Sequence, residues 1–234
     1  SHTIWVVDTT APSLSVAEGM TLECDQPIPA PSWTALDNCD DDVDVTVTPV
    51  IEDGDCPQEF TMTRTYVAMD DCGNTSTATQ IIVVVDTTNP TLSVADDVTI
   101  ECDQPIPAPE WTATDNCDEE VDVTVSPVIT EGDCPQEYTM TRTYTATDDC
   151  GNSVSAIQII TVVDTTPPVL SVGADVTIEC DQPIPAPEWT ATDNCDDEVS
   201  VTVNPVIEDG DCPQEFIMTR TYTAVDDCGN EAQA

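Results

Sequence analysis

A single period governs this sequence. Cysteines fall at Cys24, Cys39, Cys56 and Cys72, then at Cys102, Cys117, Cys134 and Cys150, then at Cys180, Cys195, Cys212 and Cys228, each set displaced by 78 residues from the last. Such self-similarity means one small structural unit made repeatedly, each unit packing on its neighbours. The 234 residues hold three periods, and Val98–Asp118 is identical in sequence to Val176–Asp196.

The phase of the repeat is informative. Ser1–Val7 (SHTIWVV) aligns with Thr79–Val85 (TQIIVVV). It therefore reads as the last strand of a preceding repeat, or as a donor strand. Three repeats follow: Asp8–Val85, Asp86–Val163 and Asp164–Ala234. The third lacks its last strand, because Ala234 aligns with Ala156. The chain does not begin with Met and shows no signal peptide, so it reads as a mature protein or a segment of a longer one. Two organisations fit: a window on a continuous array, or subunits joined head to tail by strand addition to an open edge.

Within the first repeat the expected elements are strands. Ser13–Val16 and Met20–Cys24 are expected to form a short hairpin. Asp25–Trp33 (DQPIPAPSW) is expected at an edge or in polyproline conformation, since its prolines cannot donate ladder hydrogen bonds. Val43–Ile51, Phe60–Met69 and Thr75–Val85 alternate as strands. Asp71–Asn74 (DCGN) is a tight turn in which Gly73 and Asn74 can take positive φ. About seven short strands with turns between them predict an immunoglobulin-like sandwich. The fold class is thus all-β, three immunoglobulin-like β-sandwich repeats in tandem like beads on a string. Phe60, Met62, Arg64, Tyr66 and Ala68 share a face by period-two alternation, so Arg64 points to the apolar side, as do Arg142 and Arg220. A partly buried guanidinium is expected, paired with a carboxylate or stacked on Trp33 or its equivalents.

Even cysteine numbers in small domains imply disulfides and an oxidising compartment. Spacing and the near-absence of histidine exclude a zinc site. Cys56 and Cys72 lie at opposite ends of the Phe60–Met69 strand, too far apart to bond. The expected pairings are Cys39–Cys72 and, by elimination, Cys24–Cys56. Their equivalents are Cys117–Cys150, Cys102–Cys134, Cys195–Cys228 and Cys180–Cys212.

Charge excludes several functions. With 47 Asp plus Glu against 3 Lys plus Arg, the formal net charge is −44. No basic stripe exists for nucleic acid, anionic membrane surfaces repel the chain, and no apolar run is long enough to insert in a membrane. The acids concentrate in loops at the two poles of each repeat. Asp8, Asp37, Asp40, Asp70 and Asp71 lie at the upstream pole, while Glu52, Asp53 and Asp55 lie at the downstream pole, facing the next repeat. The same upstream positions recur as Asp86, Asp115, Asp118, Asp148 and Asp149, and as Asp164, Asp193, Asp196, Asp226 and Asp227. Hard oxygen ligands in this number suit calcium. A halophile-like solvated surface or plain turns are the bland readings of the same residues.

Two motif groups resemble a known family. The linkers DTTAP (Asp8–Pro12), DTTNP (Asp86–Pro90) and DTTPP (Asp164–Pro168) are similar to inter-domain linkers of bacterial surface proteins. ATDNC at Ala113–Cys117 and Ala191–Cys195, with RTYTATDDCGN at Arg142–Asn152, resembles the hyalin-repeat (HYR-like) immunoglobulin-like modules of large secreted or surface proteins of bacteria. The resemblance covers the whole chain. It implies an extracellular adhesive or structural role, with calcium at inter-repeat junctions. By position the implied ligands are Asp8, Asp37 and Asp70, then Asp86, Asp115 and Asp148, then Asp164, Asp193 and Asp226.

No enzyme is expected: His2 is the lone histidine and stands outside the repeats, lysine is absent, and near-identical copies do not build a unique active site. The function expected is an extracellular, calcium-stabilised filament of head-to-tail repeats, its partners being copies of itself. The alternative is the stalk of a bacterial surface adhesin that presents a separate binding domain. No adhesion ligand is named by the sequence.

Overall fold

A computed structural model describes residues 1–234. The first repeat contains β1 (Ser13–Val16), β2 (Met20–Glu23), β3 (Trp33–Leu36), β4 (Asp44–Asp53), β5 (Phe60–Met69) and β6 (Thr75–Val85). The second contains β7 (Thr91–Val94), β8 (Val98–Glu101), β9 (Trp111–Thr114), β10 (Asp122–Glu131), β11 (Tyr138–Thr147) and β12 (Ser153–Val163). The third contains β13 (Val169–Val172), β14 (Trp189–Thr192), β15 (Ser200–Asp209), β16 (Phe216–Val225) and β17 (Glu231–Gln233). The fold is all-β, as expected. The chain divides into two compact units. The first is Ser1–Ser93 with Thr112–Thr124 and Thr145–Ser155; the second is Val94–Trp111 with Val125–Tyr144 and Ala156–Ala234.

In the first repeat, β2-β6-β5-β4 form one sheet and β1-β3 form a second. The expected hairpin between β1 and β2 does not form. Instead β1 pairs antiparallel with β3, and β2 pairs parallel with β6, Met20–Glu23 against Ile82–Val85. Each short strand satisfies its backbone in a different sheet, which ties the two layers together. β3 lies just beyond the proline-rich segment and was not expected from the sequence.

The alternation of β5 and β6 sets the core. Arg64, Tyr66 and Ala68 on β5, with Gln80, Ile82 and Val84 on β6, are buried; Thr61, Thr63 and Thr65 take the other face of β5, and Ile81, Val83 and Val85 that of β6. Tyr66 meets Trp33 of the second sheet at 6.0 Å between ring centroids. Arg64 is buried, but its partners are neutral. It donates to the Pro29 carbonyl at 2.7 Å and to Gln80 Oε1 at 3.3 Å. Gln80 also accepts the Tyr66 hydroxyl at 3.1 Å and donates to the Glu18 carbonyl at 3.0 Å. One polar network thus anchors the β1–β2 turn and the proline-rich segment, whose own prolines offer no ladder donors. Arg142, Tyr144 and Gln158 repeat this network.

Two glycines serve the poles. Gly73 has φ of 87° in the turn between β5 and β6, and Gly151 and Gly229 match it. Asn74, expected to share that conformation, keeps a negative φ and acts through its side chain instead. Gly54 closes the β4–β5 loop by donating to the Glu59 carbonyl at 2.8 Å, an approach that leaves no room for a Cβ.

Candidate metal centre at the repeat junctions

Because β2 runs parallel to β6, both strands end at the downstream pole, and the Cys24 N–H donates to the Val85 carbonyl at 3.0 Å. Cys24 and the Asp86–Pro90 linker therefore leave the first repeat side by side. The first three residues of the linker are each held. Asp86 Oδ1 accepts the Thr88 N–H at 3.3 Å, a local turn of the kind aspartate favours. Thr87 donates its hydroxyl at 2.6 Å and its N–H at 3.1 Å to the Glu23 carboxylate. Asn152, from the β11–β12 turn, donates to the Asp86 carbonyl at 3.1 Å and to Asp148 Oδ2 at 2.9 Å. Asp164, Thr165, Thr166, Glu101 and Asn230 repeat these contacts at the following junction.

The aspartates divide into two groups by what their oxygens do. Asp118 accepts N–H groups of Glu120 and Asp149 on its two oxygens, each at 3.0 Å. Asp148 accepts from Cys150 and Asn152 on Oδ1 and from the Asn152 amide on Oδ2. These side chains lock loops, as do Asp40, Asp70, Asp196 and Asp226. Desolvation opposes ionisation of Asp70, but hydrogen bonds from Asn74 and Cys72 win and hold its carboxyl below the ordinary value. Asp71, Asp149 and Asp227 are exposed and contribute backbone N–H groups.

Asp86 and Asp115 are different. Asp115 Oδ1 accepts N–H groups of Cys117 and Asp118, at 2.8 and 3.1 Å, but its Oδ2 is covered and has no partner. Asp86 Oδ2 is likewise covered and unpartnered, in a residue only 4% exposed. Burial pushes the Asp86 carboxyl up, and Asp115, Asp148 and Glu23 push the same way, against the Thr88 hydrogen bond. Asp164 and Asp193 repeat the pattern, with Asp164 only 3% exposed and also pushed up. Asp37 shares the unpartnered Oδ2 at the upstream pole of the first repeat and lies beside Asp8. A buried carboxylate oxygen without a donor is costly. Two of them at one junction, rimmed by further acids, form a donor set that fits a hard divalent cation. An open cleft of about 490 Å³ lies beside them, lined in part by Glu23, Asp25, Asn89, Asp115 and Asn116.

The cysteines correct the sequence reading. Cys24 bonds to Cys117 and Cys56 to Cys150, with Cα–Cα separations of 5.8 and 5.1 Å. Cys102 bonds to Cys195 and Cys134 to Cys228. None of the expected pairings Cys39–Cys72, Cys24–Cys56, Cys117–Cys150, Cys102–Cys134, Cys195–Cys228 and Cys180–Cys212 is present. The reason is polar geometry. Cys24 and Cys56 do share one pole, and Cys39 and Cys72 the other. The β2/β6 pairing aims the downstream pair at the next repeat's upstream pair, so each bond crosses a junction. Cys39, Cys72, Cys180 and Cys212 are free and exposed. Desolvation, with Asp8 and neighbouring aspartates adding to it, pushes the Cys39 and Cys72 thiols up.

Two residue types in these junctions escaped the sequence reading. Glu23 and Glu101 hold the linker threonine, and Asn74, Asn152 and Asn230 bridge turn to linker. Their recurrence at one period, next to Cys24 and within the DCGN turn, was the available signal. The Asn74 amide donates to Asp70 Oδ2 at 2.8 Å, so this side chain is used structurally.

Comparison with known proteins agrees with the cysteine pattern. Residues 12–84 and 90–162 match the HYR-like domain with 4 cysteines, and the chain belongs to that family. Hyalin of Lytechinus variegatus is 36% identical over 187 residues, covering 73% of this chain and 34% of the hyalin. The chain thus spans about a third of that relative's length. Among solved structures, protocadherin gamma B7 extracellular cadherin domains 1–4 align over 97% of this chain and 75% of theirs, at 14% identity and a TM-score of 0.36. Drosophila N-cadherin EC1–4 aligns over 97% and 75%, at 13% and 0.34.

Proposed function

We propose that this chain is an extracellular structural protein whose repeats stack head to tail into a long, calcium-stabilised filament. Family membership and four disulfides support a place outside the cell. The observation that carries the calcium reading is the pair of buried, unpartnered oxygens, Asp86 Oδ2 and Asp115 Oδ2, repeated by Asp164 and Asp193. A divalent cation there supplies the charge that the linker and the next repeat's loop both lack. It is held by Asp86 and Asp115, or by Asp164 and Asp193. With it bound, the junction resists bending; without it, like charges repel across a short hinge.

Successive copies join by strand donation in this reading. Ile4, Trp5, Val6 and Val7 are between 72% and 91% exposed, and no strand pairs with the Val176–Glu179 edge. The donated segment supplies to the third repeat what β6 and β12 supply to the first two.

The test is electron microscopy of the intact chain in calcium and in excess chelator at fixed ionic strength. Long straight filaments in calcium, shortened or limp in chelator, are expected. Filaments indifferent to chelator contradict the calcium reading, and a monodisperse monomer in both contradicts assembly. A second reading, the stalk of an adhesin presenting a separate binding domain, draws on the relative's greater length. It is favoured if the chain stays monomeric yet stiffens in calcium.

A further inference from the structure

The long sheet of each repeat has one face that the core does not use. In the first repeat, the register places Thr48, Thr65 and Thr79 in one row across β4, β5 and β6, and Val50, Thr63 and Ile81 in the next. By alternation all six point away from the side of Tyr66 and Ile82, and none of them is buried. Charge enters this face only at its ends, through Asp44, Glu52 and Glu23. In a chain of net charge −44, that neutrality sets the face apart. The pattern recurs: Val128 and Val206 stand where Val50 stands, and Val206 pairs with Thr219 as Val50 pairs with Thr63.

We propose that this face is a lateral interface on which a second copy of the chain packs, sheet against sheet. Charge selects both the face and the partner. Lysine is absent, and Arg64, Arg142 and Arg220 are each tied to a proline carbonyl on the core side. Two copies therefore lack the surface cations to answer each other's acids, and they meet where neither brings charge. Packed sheets lie about 10 Å apart. That is close to the Debye length of about 8–10 Å at ordinary ionic strength, so salt screens the acids at the rim while the middle of the contact stays neutral. Covering the face strands little polarity, because hydroxyls pair within it, as Thr145 Oγ1 and Ser155 Oγ do at 3.0 Å. The sheet edge is a poorer route. Pro49 on the edge strand β4 has no N–H, and Glu52 and Asp53 follow it, so strand addition there is guarded.

Area decides what such a contact is worth. β4 and β5 have 10 residues each and β6 has 11. At ~3.3 Å per residue and ~4.8 Å between strands, the three offer a face on the order of 500 Å². One pair of faces buries about 1,000 Å², the threshold of a specific interface. Each further repeat that engages its counterpart adds as much, and the 78-residue period gives a second copy the same set of faces. The contact is thus weak for one repeat and cumulative along an array. It does not depend on head-to-tail joining.

The test compares neighbouring residues of one strand. Val50, Val128 and Val206 are between 54% and 62% exposed on the outer face, and Ile51, Ile129 and Ile207 are between 56% and 59% exposed on the opposite face. Glutamate at either set adds the same charge at the same exposure. The intact chain in calcium is taken through a sodium chloride series by small-angle X-ray scattering and electron microscopy. The readout is mass per unit length, which end-to-end joining leaves unchanged. It is expected to double as salt rises. Val50→Glu/Val128→Glu/Val206→Glu should abolish the doubling and Ile51→Glu/Ile129→Glu/Ile207→Glu should keep it, both with the circular dichroism of the parent. Single-width filaments at every salt concentration overturn the interface and leave the head-to-tail reading standing. Doubled width in short particles supports the interface and counts against the filament. Doubling retained in the valine set, or lost equally in both sets, overturns the interface. So does pairing that weakens as salt rises, which marks contacts bridged through the acidic poles. A chain that stays single yet binds cellulose, and loses that binding in the valine set, gives the face to a glycan and overturns self-packing.

Discussion

Val98–Asp118 and Val176–Asp196 have the same 21 residues and do not have the same structure. In the second repeat Val98–Glu101 is a strand, paired parallel with Ile160–Val163, and Ile100 is 9% exposed. In the third, Val176–Glu179 is not a strand, Val176 is 67% exposed and Ile178 is 38% exposed. Cys102 is bonded to Cys195, while Cys180 is free. Glu101 holds Thr165 by two hydrogen bonds. Local sequence is constant across the pair, so the difference is made by the partner. Four residues of parallel pairing convert an open edge into a strand, bury an isoleucine and place a cysteine for cross-linking.

That comparison can be broken in graded steps. The largest effect is expected at the cysteines. Cys102→Ser opens a 93-residue cross-link and should destabilise the second junction by roughly 4–5 kcal/mol on the chain-entropy account. Cys180→Ser, the same change in the same local sequence, should shift the chain's denaturant midpoint negligibly. Equal effects contradict the asymmetry. Next, Ile160→Ala removes a fully buried partner of the Val98–Glu101 strand and should cost about 3 kcal/mol. Hydrogen exchange at Val98–Glu101 should then approach that of Val176–Glu179. In the opposite direction, extending the chain past Ala234 with the sequence of Ile157–Val163 should protect Val176–Glu179 from exchange and raise the melting midpoint.

A smaller effect is expected at the junction carboxylates. In chelator, Asp86→Asn with Asp164→Asn should stabilise the chain by about 1 kcal/mol per site, because it removes a buried, unpaired charge while keeping the Oδ1 acceptor. The smallest is the pH response of Glu101, whose carboxyl the Thr165 side chain and N–H hold below its ordinary value. Its contribution is present above the ordinary glutamate range and is lost as pH falls through the depressed folded value. Glu101→Gln should therefore flatten the acid limb of the thermal midpoint slightly, and Glu179→Gln should leave it unchanged.

Much of this was legible in one sequence. Alternation in Phe60–Met69 and Thr75–Val85 located the long strands and the inward arginine, and the phase of the repeat pointed to the edge at Val176–Glu179 that has no partner strand. What failed was long-range. Ser13–Val16 and Met20–Cys24 look like a hairpin because they are adjacent, yet each pairs with a strand from elsewhere in the repeat. The disulfides failed for a related reason. Cys24 and Cys56 do share a pole, as do Cys39 and Cys72, but bonding was sought within one pole instead of across the junction. Among the acids, sequence could not separate Asp118, with both oxygens occupied, from Asp115, with one left bare, because hydrogen-bond satisfaction depends on loop geometry.

The central claim is that the bare oxygens of the junctions hold calcium. Calorimetric titration of the intact, disulfide-bonded chain with calcium tests it most directly. Saturable binding is expected, lost in the Asp86→Asn/Asp164→Asn variant and retained in Asp149→Asn, which changes an exposed acid of the same loops. Binding that is absent, or equally strong in both variants, would show these carboxylates to be a charged surface and not a clamp.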